Sequence, residues 1–266
     1  MIQIGAVYSS YAASLLHDAF HPLQVEAVFQ TGYNVRAGAN LLYIGTTKNG
    51  YAPFGIHMKT VDQLKWRVGD CLLVGTGATI HHISTGVTVY PNQVMRMKVE
   101  RIKPNPVQLT RNIEEMNQSL KKLGHDWSRA YREKEQPLYD YLSNIGQEKG
   151  KQLIGYGKGL TPSGDDVIVG YMAACEVLGR PMGWQVDYVS SAKYRTTRSS
   201  VAYYEAALRG EYTNELNRLI TALLTQSPSD WQSDWERLIE FGSSSGQDTA
   251  LGIYLALTHE MEDMVR

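Results

Sequence analysis

Apolar and β-branched residues form short runs along the first hundred residues, and Gly, Asn, Pro and Asp separate these runs. Short apolar runs between turn-forming residues are typical of β-strands. The run at 94–99 nearly alternates between apolar and polar residues, as a strand with one solvated face should. Several short strands of this kind predict a barrel-like or sandwich-like sheet. The predicted strands are residues 1–7, 24–29, 39–44, 55–58, 71–74, 86–90 and 94–99.

The apolar spacing becomes helical in the middle of the chain. One early helix is predicted at residues 10–20. The clearest boundary is the pair Pro104 and Pro106, because proline blocks a helix and removes ladder donors, and no strand is predicted beyond it. We therefore predict an α+β chain, with a β-rich, barrel- or sandwich-like domain at 1–105 and an all-α domain at 106–266. The predicted helices of the second domain are residues 110–123, 126–149, 162–179, 197–209, 212–226, 229–241 and 245–262.

The composition is ordinary for a globular protein: 266 residues carry a net charge of −1, with 43% hydrophobic and 20% charged residues. So small a charge gives no electrostatic footprint for nucleic acid or an anionic membrane. The N-terminus lacks the basic region of a signal peptide, and no apolar run approaches the roughly 18 to 20 residues that span a bilayer. Cys71 and Cys175 are predicted to be free, buried thiols, so we expect a cytoplasmic chain.

A Ser-Gly-x-Asp motif followed by a glycine four residues later occurs twice in the helical half, with an offset of 82 residues. In each copy a Gly/Ser-rich turn leads into an apolar helix, whose free N–H groups can hold an anion. Gly170 and Gly252, inside these helices, are predicted to let the two helices approach closely. Two such helix starts, each with an Asp in its first turn, predict one shared polar site. The copies are Ser163-Gly164-Asp165-Asp166 and Ser245-Gly246-Gln247-Asp248.

The turn before the first copy has three glycines in five positions, which permit conformations and close approaches that a Cβ forbids. Thr161 is predicted to cap the helix, with Pro162 at its first position. Gly164 inside the first turn costs on the order of 1 kcal/mol relative to Ala. A ligand site that needs close backbone approach would explain this cost, whereas a well-capped helix alone would not. The three glycines are Gly155, Gly157 and Gly159.

Two roles compete for Asp165, Asp166 and Asp248. Their carboxylate oxygens could coordinate a hard cation such as Mg²⁺. Alternatively, they could hydrogen-bond an amide or act as general bases. No His or Glu lies at metal-ligand spacing beside them, so the sequence does not favour a zinc site. The turn also lacks the Lys-Ser/Thr ending of a phosphate-binding Walker loop.

A third element, residues 193–200, opens another predicted helix with hydroxyl side chains and Arg198. Hydroxyls and a guanidinium at a helix N-terminus can grip a phosphate or a carboxylate. The same residues would also serve a capped surface helix with no ligand. Both interpretations remain open from the sequence.

Together the three blocks at 155–166, 196–199 and 242–249 resemble the AllH-type family, in that family's order. The resemblance is firm over most of the C-terminal half and looser before it. It implies a subunit of oxamate carbamoyltransferase, an enzyme of anaerobic allantoin and purine breakdown. That enzyme is thought to interconvert oxalurate plus phosphate with oxamate plus carbamoyl phosphate, together with other subunits. Lys158 stands where the family commonly has Pro, and this cation favours a phosphate or a different substrate.

Our first hypothesis is a cytoplasmic carbamoyltransferase subunit that binds a small anion where the two glycine turns meet, with Asp166 and Asp248 as catalytic residues. One alternative is a non-catalytic, metabolite-binding or scaffolding subunit. Another is a metal-assisted amide hydrolase. The expected partners are a small anionic substrate, other subunits and a further copy of the chain, and Mg²⁺ is the one cofactor considered. The predicted substrate-binding residues are Gly157, Lys158, Gly159, Thr161, Ser163, Gly164, Asp165, Arg198, Ser245 and Gly246.

Overall fold

The computed structural model describes residues 2–17, 22–48 and 50–265. Their architecture confirms the α+β prediction. An eight-stranded closed barrel comes first, and helices make up the second part of the chain. The choice between barrel and sandwich, which the sequence left open, is decided in favour of the barrel.

Eight strands close the barrel in the order β1-β5-β4-β3-β2-β6-β7-β8. The pairs β1–β8 and β4–β5 are parallel, and the other neighbouring pairs are antiparallel. Leu23, Val35, Leu42, Ile44 and Leu72 are fully buried in its core. The strands are β1 Ile2–Ser9, β2 Leu23–Phe29, β3 Gly32–Ala37, β4 Asn40–Thr46, β5 Gly55–Met58, β6 Cys71–Gly75, β7 Thr79–His82 and β8 Val87–Met95.

Three features of the barrel differ from the sequence prediction. Strand β3 was not predicted, because its apolar residues are separated by Asn34 and Arg36. Strand β7 was not predicted either, because Ile80 is the one apolar residue among its four. The predicted strands 86–90 and 94–99 form the single strand β8, which ends at Met95 and runs through Pro91. The register with β1 shifts beside that proline, and a bulge is a place where a strand tolerates the missing N–H.

Helix α1, Ser10–His17, follows β1 directly. The last three residues of the predicted helix 10–20 lie outside the described residues. The helices of the second part are α2 Pro106–Leu123, α3 Asp126–Arg132, α4 Leu138–Ser143, α5 Ser163–Leu178, α6 Gln185–Arg195, α7 Arg198–Leu208, α8 Asn214–Thr225, α9 Pro228–Ile239 and α10 Ser245–Val265, with a 3-10 segment at Lys149–Leu153.

Two helix predictions were wrong in their extent, and one helix was not predicted. Helix α2 begins at Pro106, four residues early, because proline is well tolerated at the first helical position and Asn105 caps the helix. The predicted helix 126–149 is two short helices, α3 and α4, and the intervening Lys134 has a left-handed φ of 56°. Helix α6 was missed, because it buries only Tyr188, Val189 and Ala192 and has a weak apolar period.

Helices α5 and α10 approach each other at two glycines, as predicted. A Cβ on Gly170 would lie 2.2 Å from the carbonyl oxygen of Thr249, and one on Gly252 would lie 2.0 Å from that of Val167. Thr249 and Val167 are themselves separated by the 82-residue offset of the repeat. The two contacts are therefore reciprocal, and the helix pair has a local two-fold relationship.

The chain divides into two compact units, Met1–Lys98 with Glu211–Asn214 and Val99–Gly210 with Glu215–Arg266. The short segment Glu211–Asn214 joins the first unit through Tyr212, whose N–H donates to the carbonyl of Met97 at 3.2 Å. The second unit contains every residue of the predicted site. Across the described ranges, no helix combines the length and apolar character needed to cross a membrane.

Both cysteines are free, as predicted, but only Cys175 is buried, whereas Cys71 is exposed. Burial raises the pKa of the Cys175 thiol to about 12. That thiol therefore stays protonated at neutral pH, and it is a packing residue rather than a nucleophile.

Candidate functional site

The three glycines of the first turn all have left-handed φ values, of 74°, 119° and 101° for Gly155, Gly157 and Gly159. A Cβ on Gly155 would lie 2.1 Å from the carbonyl oxygen of Arg195, and one on Gly157 would lie 2.8 Å from the nitrogen of Ser163. The turn therefore needs glycine for its own conformation and for its contacts with the rest of the chain.

Gly164 and Gly246 occupy equivalent positions at the starts of α5 and α10. A Cβ on Gly164 would lie 1.9 Å from the carbonyl oxygen of Leu153, and one on Gly246 would lie 1.7 Å from that of Leu238. The sequence predicted that another group lies very close to the backbone of Gly164. The structure confirms this close contact, but the group is a carbonyl of the protein itself and not a ligand. Packing thus explains why glycine is kept in both first turns.

The expectation of free N–H groups at the start of α5 is wrong for three residues. The N–H of Gly164 donates to the carbonyl of Tyr156 at 2.8 Å. Those of Asp165 and Asp166 donate to Pro162 at 2.9 and 3.3 Å. The helix dipole remains, so an anion at this end would depend on side chains and the dipole more than on these amides.

Asp165 fastens the first turn to the chain around α7. Its buried carboxylate accepts from the N–H of Gly155 and the hydroxyl of Tyr204, both at 3.0 Å, and from the hydroxyl of Thr196. Both carboxylate oxygens therefore have donors from the protein. This arrangement suits a structural clamp, and a direct role for Asp165 in substrate binding stays a prediction.

Helix α7 begins beside the same turn. The hydroxyl of Thr197 caps the helix by accepting from the N–H of Ser200 at 3.2 Å, and it donates to the carbonyl of Leu160. The capped-helix interpretation of this element is confirmed. Arg198 follows at the first helical position with an exposed side chain, and its contact with an anion stays a prediction.

The two copies of the motif meet through hydroxyl groups. The Oγ1 of Thr161 lies 3.1 Å from the Oγ of Ser245, and both hydroxyls hydrogen-bond to Asp166. The predicted capping role of Thr161 is wrong, because Pro162 occupies the cap position of α5 and makes no side-chain cap bond. Thr161 instead links the two helix starts.

Asp166 is held as a neutral acid. Burial raises the pKa of its carboxyl to about 8, against the opposing effect of the Ser245 and Thr161 hydroxyls. The negative charges of Asp248 and Asp165 raise this pKa further. Its Oδ2 is sealed from solvent and has no hydrogen-bond partner. At neutral pH Asp166 therefore carries a proton, which is an unusual state for an aspartate and typical of functional sites.

Asp248 is fully buried and is paired with a histidine that the sequence did not indicate. Its Oδ1 lies 2.9 Å from Nε2 of His125. The Nδ1 of His125 accepts from the N–H of Ser128 at 3.4 Å, so the ring proton is on Nε2 and points to Asp248. The Oδ2 of Asp248 is sealed and has no hydrogen-bond partner.

The structure thus brings Thr161, Asp166, Ser245, Asp248 and His125 into one cluster within the second unit. Lys158 is exposed on the turn that leads to it. His125 lies 123 residues before Asp248 in the chain. In the sequence, His125 stands between two predicted helices, which indicates a cap of α3. Its distance along the chain from either copy of the motif gives no sign that it belongs to the site.

Among the described residues, no group of three or more His, Cys, Asp or Glu side chains has the arrangement of a metal site. Asp166 and Asp248 each use one oxygen for hydroxyl or imidazole partners and keep the other without a partner. Whether they bind a cation or act by hydrogen bonding and proton transfer stays a prediction.

A family model described as oxamate carbamoyltransferase subunit AllH matches residues 153–257. The matched range contains all three sequence blocks, so the predicted family resemblance is confirmed over this part of the chain. It begins at Leu153, whose carbonyl lies against Gly164, and it does not include His125. No solved structure matches this chain.

Proposed function

We propose that this chain is a subunit of a carbamoyltransferase that acts on oxamate, and that it binds a small anionic substrate where its two glycine turns meet. The match to the AllH family model supports the assignment to this enzyme. The proposed position of the substrate site is inferred from the junction of the two motif copies at Thr161, Ser245 and Asp166. Two sequence segments 82 residues apart form one polar cluster there.

The cluster has the groups that such substrates require. Oxamate and carbamoyl phosphate are small anions that also carry amide N–H donors. The Oδ2 atoms of Asp166 and Asp248 are buried and have no hydrogen-bond partner, and a buried polar atom gains most when a ligand group hydrogen-bonds to it. The dipoles of α5 and α10 favour negative charge at their N-termini. The amide end and the anionic end of one ligand would therefore both find partners.

Two exposed cations lie on the elements around this cluster. Lys158 is on the first glycine turn, and Arg198 opens α7. The bond between Thr197 and the carbonyl of Leu160 holds these two elements together. We assign both cations to the phosphate or carboxylate end of the substrate, where a guanidinium and an ammonium can bind oxygen atoms.

A thermal-shift titration tests the site. The purified chain is titrated with carbamoyl phosphate, oxamate, oxalurate, phosphate and Mg²⁺, beside Asp166→Asn and the matched control Asp187→Asn, which changes an exposed aspartate of α6. A ligand at 100 times its dissociation constant adds about 2.7 kcal/mol of stability. We expect a shift with one of the carbamoyl ligands or oxamate that is lost in Asp166→Asn and kept in the control.

Other outcomes of the titration distinguish the alternatives. A shift with Mg²⁺ alone would favour a metal-assisted hydrolase. An equal ligand shift in wild type and in Asp166→Asn would place the ligand elsewhere and contradict the proposal.

A second candidate is a non-catalytic subunit that is completed or covered by partners. Three apolar side chains in the two turns are exposed: Tyr156 by 44%, Leu160 by 59% and Phe241 by 43%. Exposed apolar residues beside a polar site are typical of a surface that another protein covers. Turnover by the isolated chain would count against this candidate. Turnover that appears only on mixing with partner subunits would support it.

We further propose that the protein acts in the cytoplasm, in allantoin and purine breakdown. Association with further copies of itself also remains a proposal. Neither statement is needed for the site assignment, which rests on the cluster and on the family match.

A further inference from the structure

The cluster contains two carboxyl groups, Asp166 half-buried and Asp248 fully buried, that each keep one buried oxygen without a partner. The Oδ2 atoms of Asp166 and Asp248 are both sealed from solvent, and Asp248 has no exposed surface at all. A buried carboxylate with an unpaired oxygen is costly, and two like charges at neighbouring sites are costlier still. Two such groups avoid the cost when one of them holds a proton.

The carboxyl groups of Asp166 and Asp248 differ in the hydrogen-bond partners of the oxygen other than Oδ2. Asp248 receives the Nε2–H of His125, a donor that favours the ionised form. Asp166 faces only the hydroxyls of Thr161 and Ser245. A hydroxyl can donate or accept, so it serves a neutral carboxyl as well as a carboxylate. The environment therefore places the proton on Asp166 and the charge on Asp248.

We propose that Asp166 and Asp248 work as an acid–base pair that holds one proton, carried on Asp166, and that His125 is the positioning residue that keeps Asp248 ionised. The catalytic meaning of this pair rests on the proposed function. The division of roles follows from the contacts, because Asp248 has an imidazole donor and Asp166 has hydroxyl partners.

The other ionisable groups around the pair agree with this assignment. Asp165 adds negative charge near Asp166, and its carboxylate is occupied by the Tyr204 hydroxyl and other donors. Burial raises the pKa of Tyr204 well above its usual range, so that hydroxyl stays protonated. His125 is the imidazole that contacts Asp248.

This arrangement suits transfer of a carbamoyl group to an amide nitrogen. That nitrogen forms a bond to the carbamoyl carbon and loses one proton, while the bond from this carbon to the phosphate oxygen breaks. The step requires the two helix starts to open and admit the substrate to the buried Oδ2 atoms. Asp248 then accepts the proton from the nitrogen, and Asp166 donates its proton to the departing oxygen. The pair holds one proton before and after the step, and it resets when that proton moves from Asp248 to Asp166.

The test is an NMR pH titration of the ligand-free chain labelled with carbon-13 at its aspartate carboxyl carbons. The signal that disappears in Asp166→Asn belongs to Asp166. We expect it to titrate near pH 8 in the wild type, since burial raises this pKa to about 8. In Asp248→Asn we expect the pKa of Asp166 to be lower than in the wild type, because a neighbouring like charge is removed.

His125 is tested by a pair of variants. His125→Leu removes the N–H donor that stabilises a negative charge on Asp248, so we expect the Asp166 signal to titrate at a lower pH. His125→Gln keeps an N–H and is expected to restore most of the wild-type behaviour. The matched control is His259→Gln, which changes a histidine of α10 that bonds Tyr171 at 3.0 Å outside the cluster. This control should leave the Asp166 titration unchanged.

An Asp166 signal that titrates in the usual carboxyl range, or one that ignores Asp248→Asn, would overturn the inference. If His125→Leu does not fold, the Asp248→Asn comparison decides the matter. The titration uses no ligand, so its result is separate from that of the proposed function. A high Asp166 titration without any ligand shift would refute the proposed substrate and keep the pair, whereas ligand binding with an ordinary Asp166 titration would refute only the pair.

Discussion

At the scale of single residues, three aspartates at similar helix starts have different hydrogen-bond partners. Asp165 is surrounded by protein donors and acts as a clamp. Asp248 is fully buried but has an imidazole partner. Asp166 has only hydroxyl partners, and burial raises its pKa to about 8. The number and kind of donors around each carboxyl, more than its position in a helix, decide whether it is charged.

The raised pKa of Asp166 predicts a pH dependence of stability. Its folded-state pKa lies above the unfolded value near 3.8, so the folded protein binds this proton more tightly. The resulting stabilisation is complete below about pH 4 and is lost as the pH rises to about 8, with a slope of up to about 1.4 kcal/mol per pH unit. Asp166→Asn removes this contribution.

Denaturant unfolding at pH 5, 6, 7, 8 and 9 measures this effect. We expect the wild type to lose stability relative to Asp166→Asn from pH 5 to 8, and the difference to level off between pH 8 and 9. The other ionisable groups are shared by both proteins and cancel in the comparison. Parallel curves for the two proteins across this range would contradict the assignment of a high pKa to Asp166.

At the scale of helices, the repeated motif is a packing device as well as a site. Gly164 and Gly246 place each helix start against an earlier carbonyl, while Gly170 and Gly252 bring α5 and α10 together. These contacts position the two first turns so that Thr161 reaches Ser245. The polar cluster therefore depends on backbone distances that only glycine permits.

We predict that Gly252→Ala destabilises the protein strongly. Its Cβ would lie 2.0 Å from the carbonyl oxygen of Val167, which is backbone that cannot rotate away. Overpacking of this kind typically costs about 1–3 kcal/mol or more. It should also separate the two halves of the cluster and weaken any ligand shift.

The matched control is Gly183→Ala. No atom lies within 4 Å of its Cβ position, so we expect a change within about 0.5 kcal/mol. Equal effects of Gly183→Ala and Gly252→Ala on the free energy of unfolding would show that the helix contact is not the cause.

At the scale of the whole molecule, the functional elements gather in one of the two compact units. The second unit contains both motif copies, the α7 start and His125. Its exposed apolar residues Tyr156, Leu160 and Phe241 belong to the two turns of the cluster. Exposed apolar side chains beside a polar cluster are typical of a surface that another protein covers.

We predict that Leu160→Ser impairs assembly and leaves folding intact. The side chain is 59% exposed, so its replacement should change the free energy of unfolding by no more than about 0.5 kcal/mol. Activity restored on mixing with the partner subunits should fall at limiting subunit concentration and recover at high concentration. Val107→Ser, which changes an exposed apolar residue of α2, is the control. Unchanged restored activity for Leu160→Ser would exclude this surface.

Local pattern was sufficient for much of the architecture. Strands such as Gly55–Met58 and helices such as Ser245–Val265 were predicted because their period is a property of neighbouring residues. The strands Gly32–Ala37 and Thr79–His82 and the helix Gln185–Arg195 were missed, because polar residues interrupt their apolar pattern. In those three elements, tertiary contacts outweigh local preference.

The sequence by itself determined the α+β order, the two motif copies with their 82-residue offset and the close contact at Gly170 and Gly252. Only the tertiary structure decided that the sheet closes into a barrel and that His125 meets Asp248. Closure and pairing depend on contacts between distant parts of the chain, which no local period encodes. The tertiary structure also decides the protonation of Asp166, because this depends on burial and on charges that the fold places around the carboxyl group.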